Sequence, residues 1–155
     1  MQLFLMRHSI AEPTVSTDFL RNLTPEGVER AQRVSLHMKT LDLRPSIVVH
    51  SPLLRSRQTA EIVARTLLGL PLVELEEVID ADTGLLHVLA AGQWRAPLVV
   101  GHNPGISALA SWLSSNTPTL RFQPASLAAF LVDELPPKQA TLTHWVPLPP
   151  NEATP

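Results

Sequence analysis

The sequence predicts an α/β fold: a three-layer α/β/α domain whose central sheet is mostly parallel and carries an antiparallel C-terminal hairpin at one edge. Three observations predict it. Short, nearly all-apolar runs (LFLM, IVV, LVV) recur through the first two thirds of the chain, as expected of parallel strands buried on both faces. Segments with helical spacing of apolar residues separate these runs. The last third holds two strand-like runs joined by the turn-rich DELPPKQA, the pattern of a hairpin. Strands alternating with helices and then closing on a hairpin give the layered architecture.

Taken in order, residues 2–7 form the first strand and residues 9–23 a polar loop without clear period. A helix follows, with Thr24 as N-cap, Pro25 in the first turn and Glu26 at the positive end of the dipole. Val28, Ala31, Val34, Met38 and Leu41 give its buried face, and Pro45 ends it. Residues 46–50 (SIVVH) are the second strand. In SPLLRSRQTAEIVARTLLGL the next helix turns Ala60, Val63 and Leu67 inward and ends at Gly69. PLVELEEV reads as a third strand with Val73, Leu75 and Val78 as its inward apolar positions. A short helix over 84–91, a fourth strand in APLVVG, a helix over 105–113 and hairpin strands over 127–132 and 141–146 complete the chain. One domain spans 1–148, and the proline-rich residues 149–155 read as a tail.

Composition narrows the chemistry. With 155 residues, the chain can bury a real core. Twelve Lys and Arg against 14 Asp and Glu leave a net charge of −2, so there is no basic field for nucleic acid or an acidic membrane. Functional arginines must therefore work by position. The absence of cysteine excludes disulfides, thiolate catalysis and zinc–thiolate sites. No apolar run approaches the ~20 residues that span a bilayer, and the N-terminal run is too short for a signal core. The expectation is a soluble cytoplasmic protein.

Ligands of open α/β sheets sit beyond the carboxyl ends of the strands. Arg7-His8 follows the first strand there, HSPLLR with Arg55 the second, and Gly101-His102-Asn103 the fourth. Taken singly, each has a bland reading: a hydrogen-bonded surface histidine, a solvated helix arginine, a turn. Their common location points to phosphate. Guanidinium groups bind phosphoryl oxygens bidentately and stay charged. A neutral imidazole between them is a competent nucleophile toward phosphorus, kept neutral when its far nitrogen donates to a backbone carbonyl. A second histidine and the arginines would stabilise charge on the equatorial oxygens. Nothing in this set requires a metal or other cofactor, and the histidines lack metal-ligand spacing.

The blocks LMRHSIAE, DFLRNLTPEG, SPLLRSRQTAE and VVGHNPGI, in this order, resemble the histidine phosphatase superfamily (phosphoglycerate mutase-like), and most of all its short SixA-type phosphohistidine phosphatases. The resemblance implies that His8 is the nucleophile forming a phosphohistidine intermediate, that Arg7 and Arg55 clamp the phosphoryl group, and that His102 is the second pocket histidine. Arg21 would add a phosphate contact, although it reads equally well as a loop arginine on the surface. Gln58 and Thr59 read as helix packing and solvation, and Ser126 as a turn residue. His37, His50, His87 and His144 are left as structural or surface residues.

Ser9 stands where the superfamily's Arg-His-Gly has glycine, and could offer phosphate its backbone N–H and a hydroxyl. For a general acid, Asp18 is preferred over Glu76, Glu77, Asp80 and Asp82, because it lies three residues before Arg21 in a matching block. Loop 9–23 and segment 78–96 alone are available to roof the pocket. An open pocket suits a phosphorylated protein, for instance phosphohistidine on a phosphotransfer domain. The alternatives are a small phosphate ester hydrolysed on the same fold, or a non-catalytic phosphate-binding module.

Overall fold

The computed structural model describes residues 1–13, 17–115 and 120–150. Its strands are β1 (Gln2–Arg7), β2 (Ile47–His50), β3 (Leu72–Glu74), β4 (Pro97–Gly101), β5 (Leu127–Val132) and β6 (Ala140–Val146). Its helices are α1 (Pro25–Thr40), α2 (Leu54–Thr66), α3 (Thr83–Gly92) and α4 (Gly105–Leu113). The six strands form one sheet in the order β3-β2-β4-β1-β5-β6, in which the first four are parallel. β5 runs antiparallel to β1, and β6 antiparallel to β5.

Alternation along the strands divides the core in two. Leu3, Leu5, Val49, Val99 and Phe130 face α3 and α4, meeting Leu85, Leu86, Leu89, Ile106 and Leu109. Phe4, Met6, Val48, Leu98, Val100 and Leu127 face α1 and α2, meeting Val34, Met38, Ala60 and Val63. Because β1, β2 and β4 are covered on both sides, their sequences run apolar without a break.

Several boundaries differ from the sequence reading. α1 ends five residues before Pro45, where Leu41 caps it and Asp42 turns left-handed at φ 56°. Its buried face is Gly27, Ala31, Val34, Ser35 and Met38, while Val28 and Leu41 are half-buried. Leu67 is half-buried too. β3 is only three residues long. The Leu75 N–H still reaches the His50 carbonyl at 2.8 Å, and the chain then leaves the sheet in a 3-10 turn over Glu76–Val78. Of the segment 78–96, α3 lies in a core layer beneath the sheet rather than over a pocket. Loop 9–23 is more ordered than its lack of period suggests: Ala11 bridges Leu23, and Asp18–Leu20 form a 3-10 turn, while residues 14–16 lie outside the described residues. In the β5–β6 connection the Asp133 carboxylate accepts from the main-chain N–H groups of Glu134, Lys138 and Gln139. Of the tail, residues 151–155 lie outside the described residues.

Candidate active site

Strands β1 and β4 are neighbours, with Arg7 paired to Gly101, so the residues that follow them, His8 and His102, emerge side by side. The His8 N–H donates to the Gly101 carbonyl at 2.9 Å, and the two imidazole centroids stand 5.2 Å apart, tilted by 49°. Arg55, one residue into α2, is buried and reaches the same end of the sheet. Arg7, His8, Arg55 and His102, dispersed over nearly 100 positions of sequence, are thus brought together.

The His8 ring is fixed by its Nδ1, 2.7 Å from the Ser9 carbonyl. A carbonyl can only accept, so Nδ1 carries the proton and neutral His8 keeps its lone pair on Nε2. Burial drives the His8 pKa down to about 3; the Ser9 carbonyl opposes this, and His102, Arg55 and Arg7 reinforce it. His102 is lowered to about 4, first by burial and then by Arg55, with Asp18 opposing and Arg7 adding to the effect. Both rings are neutral near pH 7. Burial, then the like charge of Arg55, also lowers the Arg7 pKa.

The arginines are only partly satisfied. Arg7 donates through Nη1 to the Phe122 carbonyl at 3.0 Å, and Asn103 Nδ2 donates to the same oxygen at 2.9 Å. Phe122 is itself held edge-on against Trp145. Arg55 donates through Nη1 to the Asp18 carbonyl at 2.9 Å and through Nη2 to its carboxylate at 3.2 Å. Nε of Arg7, Nε of Arg55 and Nδ1 of His102 are buried without a partner among the described residues. Unmade buried hydrogen bonds call for an explanation, and three such nitrogens at one site, beside an imidazole lone pair, form an arrangement able to hold an oxyanion.

Two predicted contacts are corrected by this geometry. Ser9 is fully buried and does not offer its donors to a ligand. Its N–H donates to Thr59 Oγ1 at 3.0 Å and its hydroxyl to the Gly27 carbonyl at 2.6 Å. Ser9 therefore fastens the His8 segment to α1 and α2. Asp18 lies at the rim as an ion-paired carboxylate. Burial alone would raise its pKa; hydrogen bonds from Arg21 and Arg55, with their charges, outweigh it and hold the carboxyl below the usual range. Arg21 joins Asp18 at 3.2 Å and donates through Nε to the Glu12 carbonyl at 2.7 Å, so it reaches the site by way of Asp18. Among the other carboxylates, Asp82 caps α3 through the Gly84 N–H.

Sequence reasoning missed a set of buried hydroxyls behind the charged residues. Thr59 receives Ser9 and returns its proton to the Arg55 carbonyl at 2.8 Å. Ser56 receives the Ser51 N–H at 3.0 Å and donates to the Val100 carbonyl at 2.7 Å, tying α2 to β4. Ser51 lies 2.6 Å from Nε2 of His102. The signal was present: Ser56, Thr59, Ala60 and Val63 share one helix face, and hydroxyls interleaved with core residues need buried partners. Gln58 is more than a solvated residue, since its side-chain oxygen accepts from the Leu23 N–H at 2.8 Å and its amide donates to Asn22. Ser126 secures its turn, accepting from Gln123 N–H and donating to the Pro147 carbonyl, while its own carbonyl takes the Arg7 N–H.

Comparison with known proteins agrees with this geometry. The chain is 30% identical to the phosphohistidine phosphatase SixA of Escherichia coli over 143 residues, covering 86% of this chain and 87% of that one. A SixA homologue from Haemophilus influenzae is 27% identical over 150 residues, covering 86% and 89%. The structure of the protein histidine phosphatase SixA complexed with tungstate superposes with a TM-score of 0.82 at 28% identity, over 94% of this chain and 96% of that one. Residues 3–96 match the histidine phosphatase superfamily (branch 1), and the chain belongs to that superfamily as a SixA-like phosphatase.

Proposed function

We propose that this phosphatase removes the phosphoryl group from phosphohistidine on a protein by double displacement through His8. The observation that carries the proposal is the setting of His8: a neutral imidazole with its proton held on Nδ1 by Ser9, beside the unpartnered donors of Arg7, Arg55 and His102. In the first step Nε2 of His8 forms a bond to phosphorus as the phosphorus–nitrogen bond of the substrate breaks. The departing imidazole keeps the electron pair and is protonated from solvent. In the second step water attacks the phosphoryl group, the bond to Nε2 breaks, and phosphate leaves with the lone pair restored to His8. Arg7 and Arg55 neutralise the equatorial oxygens throughout.

Imidazole departs more readily than an alkoxide, so this reaction does not need a dedicated acid worth about 10²–10⁴ in rate. The ionised state of Asp18 fits a phosphoramidate better than a phosphate ester. A protein substrate also fits the rim, where Phe19 and Leu20 stand exposed beside Asp18. The SixA structure is a complex with tungstate, a tetrahedral oxyanion, and tungstate should inhibit here by occupying Arg7 and Arg55.

The test is a panel of phosphohistidine protein, sugar phosphates and p-nitrophenyl phosphate, assayed on wild type and His8→Ala. The expected outcome is preference for phosphohistidine and a loss on the order of 10³-fold or more in the variant. Comparable turnover by His8→Ala would overturn the nucleophile, and preference for sugar phosphates would overturn the substrate. Stoichiometric phosphate binding without turnover would mark a binding module.

A further inference from the structure

Ser51 sits between β2 and α2, wholly removed from solvent, and its hydroxyl oxygen has two neighbours. The Leu53 N–H donates to it at 3.2 Å, and Nε2 of His102 lies 2.6 Å away. The hydroxyl proton needs an acceptor, and among the described residues the one within reach is that ring nitrogen. A His102 protonated on Nε2 would donate to the hydroxyl oxygen and leave the buried hydroxyl proton without an acceptor, which native interiors avoid. The doubly protonated ring would do the same. With the ring proton on Nδ1 the hydroxyl donates to Nε2, and the one donor left without a protein partner is Nδ1–H, beside the unpartnered Nε donors of Arg7 and Arg55.

We propose that Ser51 is a positioning residue: by donating to Nε2 it holds His102 as the neutral Nδ1–H tautomer, a fixed hydrogen-bond donor for the phosphoryl group. His8 and His102 then carry the same tautomer with opposite poles free. His8 keeps a lone pair on Nε2 because Ser9 takes its Nδ1 proton. His102 keeps an N–H on Nδ1 because Ser51 satisfies its Nε2. One ring attacks and the other stabilises, and neighbouring serines make the difference. The tautomer and what Nδ1–H meets both rest on the phosphatase reading above.

The experiment combines long-range 1H–15N correlation spectra of the histidine side chains with kinetics on p-nitrophenyl phosphate. His102 is assigned by its disappearance in His102→Gln. The ligand-free wild type should show His102 protonated on Nδ1. Ser51→Ala should move proton density to Nε2 and lower kcat on the order of 10-fold or more, with KM changed less than kcat, because a transition-state donor is lost. An Nε2–H tautomer in wild type overturns the proposal, as does a Ser51→Ala variant with unchanged tautomer and kcat. Should Ser51→Ala fail to fold, the wild-type spectrum decides. Spectra recorded without substrate are indifferent to the assignment of His8 as nucleophile and of phosphohistidine as substrate, so failure of that reading is distinguishable.

Discussion

Asp18 meets Arg55 through both its carboxylate and its main-chain carbonyl, and so occupies Nη1 and Nη2 of the guanidinium while Nε stays unpartnered. A carboxylate in this position is a resident competitor. It keeps Arg55 oriented and, on the reading proposed above, competes with the phosphoryl group for the guanidinium. Half-exposed ion pairs are worth little, ~0.2–1 kcal/mol, so the competition is mild. Asp18→Asn should therefore lower KM by up to about 5-fold and leave kcat within about 3-fold of wild type, as steady-state kinetics will show. A kcat loss of about 10²-fold would instead restore Asp18 as a general acid.

Helix α1 approaches the His8 segment so closely that a Cβ on Gly27 would strike the main-chain carbonyl of Ile10. The same contact region holds the Thr24 N–H bond to Ile10 and the Ser9 hydroxyl bond to Gly27. Backbone cannot step aside as a side-chain tip can, so Gly27→Ala should destabilise the fold by roughly 1–3 kcal/mol, measured by denaturant titration. Activity lost at low temperature should exceed what unfolding explains, because the loop behind His8 is displaced with the helix. Elements such as α1 and β4 were legible in the sequence because Thr24-Pro25-Glu26 and PLVVG carry local signals of cap, dipole and burial. The extent of β3 was not: Val73 and Leu75 alternate as in a strand and Val78 is apolar too, yet the chain departs after Glu74. The partners of Ser9, Ser51 and Thr59 were equally hidden, since each lies across a contact that folding creates between distant segments.

For the whole molecule, two neutral buried imidazoles make stability depend on acidity. Their folded pKa values, about 3 and about 4, lie below the ordinary 6.5. Below pH 6.5 the unfolded chain takes up protons that the folded one refuses, so unfolding is favoured as pH falls toward 4. Between pH 7 and pH 5, wild type should lose on the order of 1–2 kcal/mol more stability than His8→Gln, read from urea midpoints at the two pH values. The convergence of Arg7, His8, Arg55 and His102 was legible at this scale, because the strand ends of an open sheet share one rim. The further lowering of the Asp18 carboxyl was not, since it depends on two guanidinium groups brought there by separate elements.

The separation of His8 and His102 comes from strand pairing. Each ring follows directly on one of two hydrogen-bonded neighbours, β1 and β4, whose spacing in any sheet is about 4.8 Å, and the centroids stand 5.2 Å apart. The spacing of the two imidazoles is thereby a lattice constant of the fold, not a distance that loops can tune. Changes around the rim can alter which phosphate arrives, while the ruler against which it is measured stays the same.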